Sequence, residues 1–291
     1  MSPAEQFRAQ LRSGKLIAAP GAIDGITGRL IEQAGFSAAY MTGAGTSATL
    51  GYPDYGLLTM TEMVSNAARI VKATSIPLIS DADTGYGNEL NVFRTVQEFE
   101  HAGVAAIHIE DQVFPKRCGH LDNKELVSLD DFIAKIRAAS DARRSSSFCI
   151  IARTDARGVS GLDDAVTRAN AALANGADIA FIEAPQSLEE MRMIPRLVGG
   201  PCLLNMVRGG KSPEISLQEA ETMGYAIAIL PGVLLAGIIA TCDQILAGIK
   251  EVGGLPPPLV ASSPKKIFSR FGSDDWDRRR VVYRDGVGGE Q

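Results

Sequence analysis

Two aspartates, Asp81 and Asp83, stand two residues apart just past a short apolar run, and Glu110 and Asp111 end another. Acids grouped this way offer hard oxygen ligands, which suits Mg2+, with Mn2+ as the alternative. Capping of a following helix would use the same pair of aspartates. A second group is Lys116-Arg117-Cys118-Gly119-His120, two cations and an imidazole around one thiol. Neighbouring positive charge favours a thiolate, and Gly119 gives the loop freedom to close over a ligand. Arg153 directly follows the apolar stretch 148–152. A cation there needs an anion, either a substrate carboxylate or Glu183. His108 alternates with Ile107 and Ile109 and reads as an interior histidine rather than a metal ligand. The turn Gly209-Gly210-Lys211-Ser212-Pro213 could hold a phosphate or carboxylate, although turn chemistry explains its glycines equally well and the P-loop spacing is absent.

These groups share one kind of position, the end of an apolar run. The runs are Leu16–Ala19, Ala38–Met41, Pro77–Ser80, Ala105–Glu110, Phe148–Ala152, Asp178–Glu183, Cys202–Asn205 and Ala226–Leu230. They are continuous rather than alternating, as strands buried on both faces must be. Between them lie helical stretches such as Asp24–Ala34, Leu90–Ala102 and Asp163–Asn175, followed by Gly35, Gly103 and Gly176 where a left-handed cap is needed. Eight such units predict an α/β fold, a (β/α)8 TIM barrel, with chemistry at the C-terminal ends of the strands. Polar groups then follow six consecutive strands: Thr42-Gly43-Ala44, Asp81 and Asp83, Glu110, Arg153, Glu183 and Asn205. Their convergence in the barrel is the strongest sign of an enzyme. No GxGxxG opens a helix after the first strand, so a dinucleotide fold has no support.

The bulk properties agree. The chain has 291 residues with 45% hydrophobic and 22% charged, typical of a globular enzyme. A net charge of −5 argues against nucleic acid as the partner. Cys118, Cys149, Cys202 and Cys242 lack CxxC spacing and read as free thiols. The N-terminus has no signal-peptide core. Pro231 and Gly232 divide the most apolar stretch, 226–240, so no membrane span is expected and the location expected is cytoplasmic. The character changes near Gly253. Residues 1–253 read as the catalytic barrel, and 254–291 as a Pro-rich linker and C-terminal arm whose Trp276 packs at an interface.

Several segments carry a resemblance: "APGAIDGITGRLIEQAGF" (19–36), "TGAG" (42–45), "GYPDYG" (51–56), "DADTGYG" (81–87), "IEDQVFPKRCGH" (109–120), "ARTDA" (152–156), "FIEAP" (181–185) and "NMVRGGKSP" (205–213). Along nearly the whole barrel the chain resembles the isocitrate lyase and phosphoenolpyruvate mutase superfamily. The "KRCGH" segment is similar to the signature of its lyases, in which the cysteine is a general acid. The phosphonate mutases and hydrolases and the plain oxaloacetate decarboxylases resemble the same barrel without that cysteine. In the segment 205–213, Arg208 departs from the expected pattern.

The resemblance implies a lyase acting on a small carboxylic acid, a 2-hydroxy acid of the 2-methylisocitrate or 2,3-dimethylmalate type. Oxaloacetate hydrolysis or decarboxylation is the nearest alternative, with phosphonate chemistry or a non-catalytic barrel behind it. It implies Mg2+ held through Asp81 and Asp83 with Glu110 nearby, and Asp54 supporting the metal waters. Thr42, Gly43 and Ala44 would hold the oxo product. Arg153 and His120, within the loop of Lys116 and Gly119, would stabilise an enolate that Cys118 protonates. Glu183 and Asn205 would orient the leaving acid, and Tyr40 is a candidate base. It also implies a last barrel helix swapped between subunits, in a homotetramer built of dimers.

Overall fold

The computed structural model describes residues 1–285; the end of the arm, 286–291, lies outside the described residues. All eight expected strands form, as β1 (Ile17–Ala22), β2 (Ala39–Met41), β3 (Leu78–Asp81), β4 (Ala106–Glu110), β5 (Cys149–Thr154), β6 (Ile179–Ile182), β7 (Cys202–Asn205) and β8 (Ile227–Leu230). Every neighbouring pair is parallel, and β1 pairs with β8, so the sheet closes into a barrel in sequence order. Helix α1 (Pro3–Arg12) precedes the barrel. Around it follow α2 (Gly25–Gln33), α3 (Gly43–Thr49), α4 (Met60–Ala73), α5 (Glu89–His101), α6 (Leu129–Ala142), α7 (Leu162–Ala174), α8 (Leu188–Leu197) and α9 (Leu217–Met223). The protein is a (β/α)8 TIM barrel.

Alternate strand residues serve two cores. Ile79, Ile151, Ile179, Phe181, Leu203 and Ile227 fill the barrel interior. Ile107, Ile109 and Ile150 point outward against Val92, Phe99, Phe132 and Ile136 of the helices. Both faces are dry, which is why the strands carry no polar alternation. Local signals fix the helix ends. Asp24 and Thr59 form capping boxes at the starts of α2 and α4. Gly35, Gly103 and Gly176 take φ of 87°, 86° and 111° as left-handed stops.

By contacts the chain divides into two compact units, Met1–Gly237 and Ile238–Gln291. The division falls inside α10 (Val233–Val252), upstream of the Pro-rich segment. The first unit contains the whole sheet. The second contains most of α10, then α11 (Pro264–Ser269) and α12 (Ser273–Asp285), so the arm is helical. Trp276 is exposed, with the Arg279 guanidinium over its ring. The expectation that no segment has the length and apolarity to span a membrane is corrected by α10. It is 20 residues long with mean hydropathy 1.6 and none of it buried. Pro231 and Gly232 lie before this helix and do not divide it.

Candidate active site

The acids come from consecutive strand ends. Asp81 is the last residue of β3, and Asp83 follows with φ 46°, a strained left-handed conformation for a side chain with a Cβ. Asp81 Oδ1 accepts from the Asp83 amide at 2.9 Å, and Oδ2 from the Gly43 amide at 3.1 Å. Neither aspartate caps the next helix, because Asn88 caps α5. Residues 43 and 44 open α3, with Thr42 as its N-cap. The Gly43 amide is therefore spent on Asp81, while Thr42 and Ala44 line the cavity. Burial opposes ionisation of Asp81, but His108, Lys116, Arg153 and the Asp83 amide hold it at about 2. Asp83 goes the other way: burial, with Asp81 and Asp54 nearby, raises it to about 6 despite Lys116.

Lys116 lies among these acids. Its Nζ is 2.5 Å from Asp54 Oδ1 and 3.0 Å from Asp83 Oδ1. Burial would lower its pKa, but Asp83, Asp81 and Asp54 raise it well above the ordinary lysine value. Among the described residues no three His, Cys, Asp or Glu side chains converge as a ready metal cage. Asp81, Asp83 and Glu110 are thus close in sequence logic without forming a closed set of three ligands. The donor chemistry still fits a hard cation. Glu110 Oε1 is buried without a hydrogen-bond partner, while Asp83 Oδ1 and Glu110 Oε2 meet only the cations Lys116 and Arg153, and Mg2+ characteristically takes one or two carboxylates and keeps its waters.

Arg153 lies within β5, beside Glu110 of β4 in the ladder. Its Nη1 is 3.1 Å from Glu110 Oε2, and its Nε is 2.9 Å from Asp155 Oδ2. Burial pushes Glu110 above the ordinary carboxylate range even so. The pairing partners of Arg153 are Glu110 and Asp155; Glu183 pairs elsewhere. His120 Nε2 is 3.1 Å from Glu183 Oε1, and Asn205 Nδ2 donates to both Glu183 oxygens. Burial opposes the Glu183 charge, but Arg153 and His120 keep its pKa low. The Lys211 amide donates to His120 Nδ1 at 3.1 Å, which leaves Nε2 as the protonated nitrogen facing Glu183. The Gly209–Pro213 turn is therefore a clasp on the loop of His120, not an anion cradle, and its Lys211 Nζ pairs with Asp122 at 2.5 Å. Arg208 faces solvent, its side chain 87% exposed, 3.7 Å from Glu214.

These groups surround a cavity of about 160 Å³. Tyr40, Thr42, Ala44, Asp54 and Asp81 line it together with Cys118, Gly119, His120, Arg153, Glu183 and Asn205. Gly43, Asp83, Glu110 and Lys116 are not among the lining residues. Val207, Pro231 and Leu235 add an apolar wall that no polar motif signalled. Of the lining residues, Tyr40 belongs to an aromatic group: His108 stacks on Tyr40 with centroids 5.8 Å apart and meets Phe181 edge-on at 5.6 Å. His108 is fully buried, as expected, and burial lowers it to about 4, so it is neutral.

Two sequence readings need correction. Burial raises the Cys118 thiol above its ordinary value, and the backbone hydrogen bond at His120 and the Arg153 charge do not offset this. The resting sulfur is a thiol and not a thiolate, because nearby cations lower a thiol pKa only when burial does not outweigh them. Burial and Asp81 also push Tyr40 well above its ordinary value. Its hydroxyl, 2.8 Å from His108 Nε2, stays protonated and is a poor base. Sequence reasoning also missed Lys124, whose Nζ reaches Gly119 O and Asp155 Oδ1. A lysine in a polar loop gives no sign of burial. Asp155, by contrast, lay within the "ARTDA" segment and was within reach.

The protein family described as Phosphoenolpyruvate phosphomutase matches residues 7–250. The chain belongs to this family. A 2,3-dimethylmalate lyase from Eubacterium barkeri is 51% identical over 79% of this chain and 80% of its own. A 2-methylisocitrate lyase from Aeropyrum pernix is 43% identical over 95% and 90%. A crystal structure of 2,3-dimethylmalate lyase, a PEP mutase/isocitrate lyase superfamily member, superposes with TM-score 0.92 at 40% identity, covering 100% of this chain and 99% of the other. Oxaloacetate acetylhydrolase with 3,3-difluorooxalacetate gives 0.92 at 37%, covering 99% and 98%. Phosphonopyruvate hydrolase, solved with oxalate and Mg2+, gives 0.87 at 31%, covering 98% and 99%. Within the PEP mutase/isocitrate lyase superfamily the protein is a carbon–carbon lyase.

Proposed function

We propose that this lyase cleaves a 2-hydroxy dicarboxylate of the 2,3-dimethylmalate type, giving pyruvate and a second carboxylic acid, with Mg2+ bound on the Asp81, Asp83 and Glu110 side. One observation carries the reading: Cys118 lines the same small cavity as Arg153, Asp54 and Asp81. The substrate's hydroxyl proton leaves toward Asp54 and Asp81. The C2–C3 bond then breaks, and its electron pair passes into the carboxylate of the departing fragment as an enolate. Arg153 and the His120 Nε2–H meet that charge, and Cys118 gives its proton to C3. A divalent cation, when bound, supplies Lewis-acid stabilisation of the oxygen on which charge develops. Glu183, held by His120 and Asn205, orients the departing acid.

The cavity favours an alkylated dicarboxylate over a tricarboxylate such as 2-methylisocitrate. Val207, Pro231 and Leu235 suit methyl groups. Arg208, the cation available for a third carboxylate, is turned to solvent on Glu214. Hydrolysis or decarboxylation of oxaloacetate is the second reading, supported by the likeness to oxaloacetate acetylhydrolase.

The test is incubation with Mg2+ and 2,3-dimethylmalate, 2-methylisocitrate, isocitrate or oxaloacetate, following pyruvate, glyoxylate and oxalate, with Cys118→Ser as control. Pyruvate from a malate-type acid, lost in the variant, supports the lyase. Turnover of oxaloacetate alone moves the protein to the second reading, and silence on every acid sinks the proposed substrate class.

The same reading includes a cytoplasmic homotetramer in which α10 packs on a second copy. Its support is the apolar surface α10 leaves in water, with Ile239 53% and Leu246 63% exposed.

A further inference from the structure

Lys124 takes no part in the steps above, yet its side chain is only 2% exposed. It stands at the far end of the loop that begins at Lys116. Its Nζ donates to the Gly119 carbonyl at 2.6 Å and to Asp155 Oδ1 at 2.7 Å. Gly119 sits between Cys118 and His120 and has no side chain of its own to fix it. Its open side faces the site, where a Cβ would lie 2.5 Å from Arg153 Nη2 and Glu183 Oε1. Asp155 is also the anchor of Arg153, accepting from Nε at 2.9 Å and Nη2 at 3.2 Å. Its amide in turn donates to the buried Asp111 at 2.9 Å. One ammonium therefore joins the backbone beside the thiol to the carboxylate that aims the guanidinium.

Other ties hold the loop at its flanks, among them the Lys116 ion pairs with Asp54 and Asp83 and the Lys211–Asp122 pair. The Gln112 side chain makes two hydrogen bonds to the Arg117 backbone, and the Lys211 amide holds His120. Lys124 alone among these reaches the central carbonyl. If the loop lifted, Gly119 O would leave, but the ammonium would keep Asp155. Closure then gains a charge-assisted hydrogen bond, and opening strands no buried charge. That asymmetry is what a reversible latch requires.

We infer that Lys124 is a positioning residue, a latch that registers the Cys118–His120 loop against Arg153 through Gly119 O and Asp155. The kinetic part rests on the lyase proposal; the latch itself does not. The experiment compares wild type, Lys124→Met and Lys124→Arg by the rate of iodoacetamide labelling at Cys118, by kcat and KM on the acid that is turned over, and by thermal melting. Lys124→Met should label at least about tenfold faster, and should lose roughly a hundredfold in kcat with KM changed less than about threefold. Lys124→Arg should recover part of both. Should Lys124→Met fail to fold, Lys124→Gln serves, since it keeps a polar side chain but is too short and uncharged to hold both Gly119 O and Asp155. Labelling unchanged in the folded variant overturns the latch. Faster labelling in a protein silent on every acid supports the latch and overturns the lyase reading instead.

Discussion

Cys118 sits between Arg117 and His120 in sequence, surroundings that predict a reactive thiolate, but in the fold burial has the larger say. A thiol that stays protonated suits an acid that must hold its proton until an enolate forms. Its alkylation rate should therefore keep climbing past about pH 8.5, the range of an ordinary thiol; a plateau below that pH would restore the thiolate reading. Asp155 gives the opposite titration. Burial opposes its charge, but Arg153 and Lys124 hold its pKa at about 2, below the unfolded value of about 3.9. A depressed pKa contributes stability that is present above pH 4 and lost as pH falls toward 2. Asp155→Asn should destabilise the fold by about 3–5 kcal/mol at neutral pH, because it strands two buried cations. Its stability should also fall less than that of wild type between pH 4 and 2 in chemical denaturation. An equal acid slope in both proteins would remove Asp155 from the account.

The loop from 116 to 124 and the strand ends beneath it show how elements convert sequence into a site. Gly119→Ala would bring a Cβ against Arg153 and Glu183 in the closed loop. It should leave melting within a few degrees of wild type while lowering kcat on the order of a hundredfold; unchanged kcat would mean that the loop closes elsewhere. Most of this architecture was legible beforehand. Eight apolar runs gave eight strands, because a parallel barrel buries both faces and leaves a one-letter trace of continuous hydrophobes. The ends shifted where the ladder continues past the last apolar residue. β1 runs through Pro20 and Gly21 to Ala22, and β5 takes in Arg153, whose charge is met by Glu110 one strand away. Such a pairing depends on strand neighbours distant in sequence, so Arg153 read as a residue beyond the strand. Lys124 was illegible for the same reason, since both of its partners are defined only once the loop has folded back.

At the scale of the molecule, α10 is the part whose role depends most on company. Its sequence meets the length and apolarity of a membrane span, yet Asp243 lies near its centre, where a charge in lipid is costly. Packing on a second copy satisfies the same apolar surface at lower cost. Ile239→Asp should therefore lower the assembly state seen by sedimentation, and wild type should stay in the aqueous phase when mixed with lipid vesicles; flotation with the vesicles would reverse the assignment. Tyr40, which lines the cavity, is backed by the stacked His108 ring and, edge-on to that, Phe181. All three are buried, so they offer no ready exit on that side. The two products of the proposed cleavage are therefore expected to leave in order, the fragment beside the loop first and the deeper one after it. The deeper product then competes with substrate for the free enzyme, whereas the outer one binds only the enzyme still holding its mate. Product-inhibition patterns thus become a map of depth in the barrel.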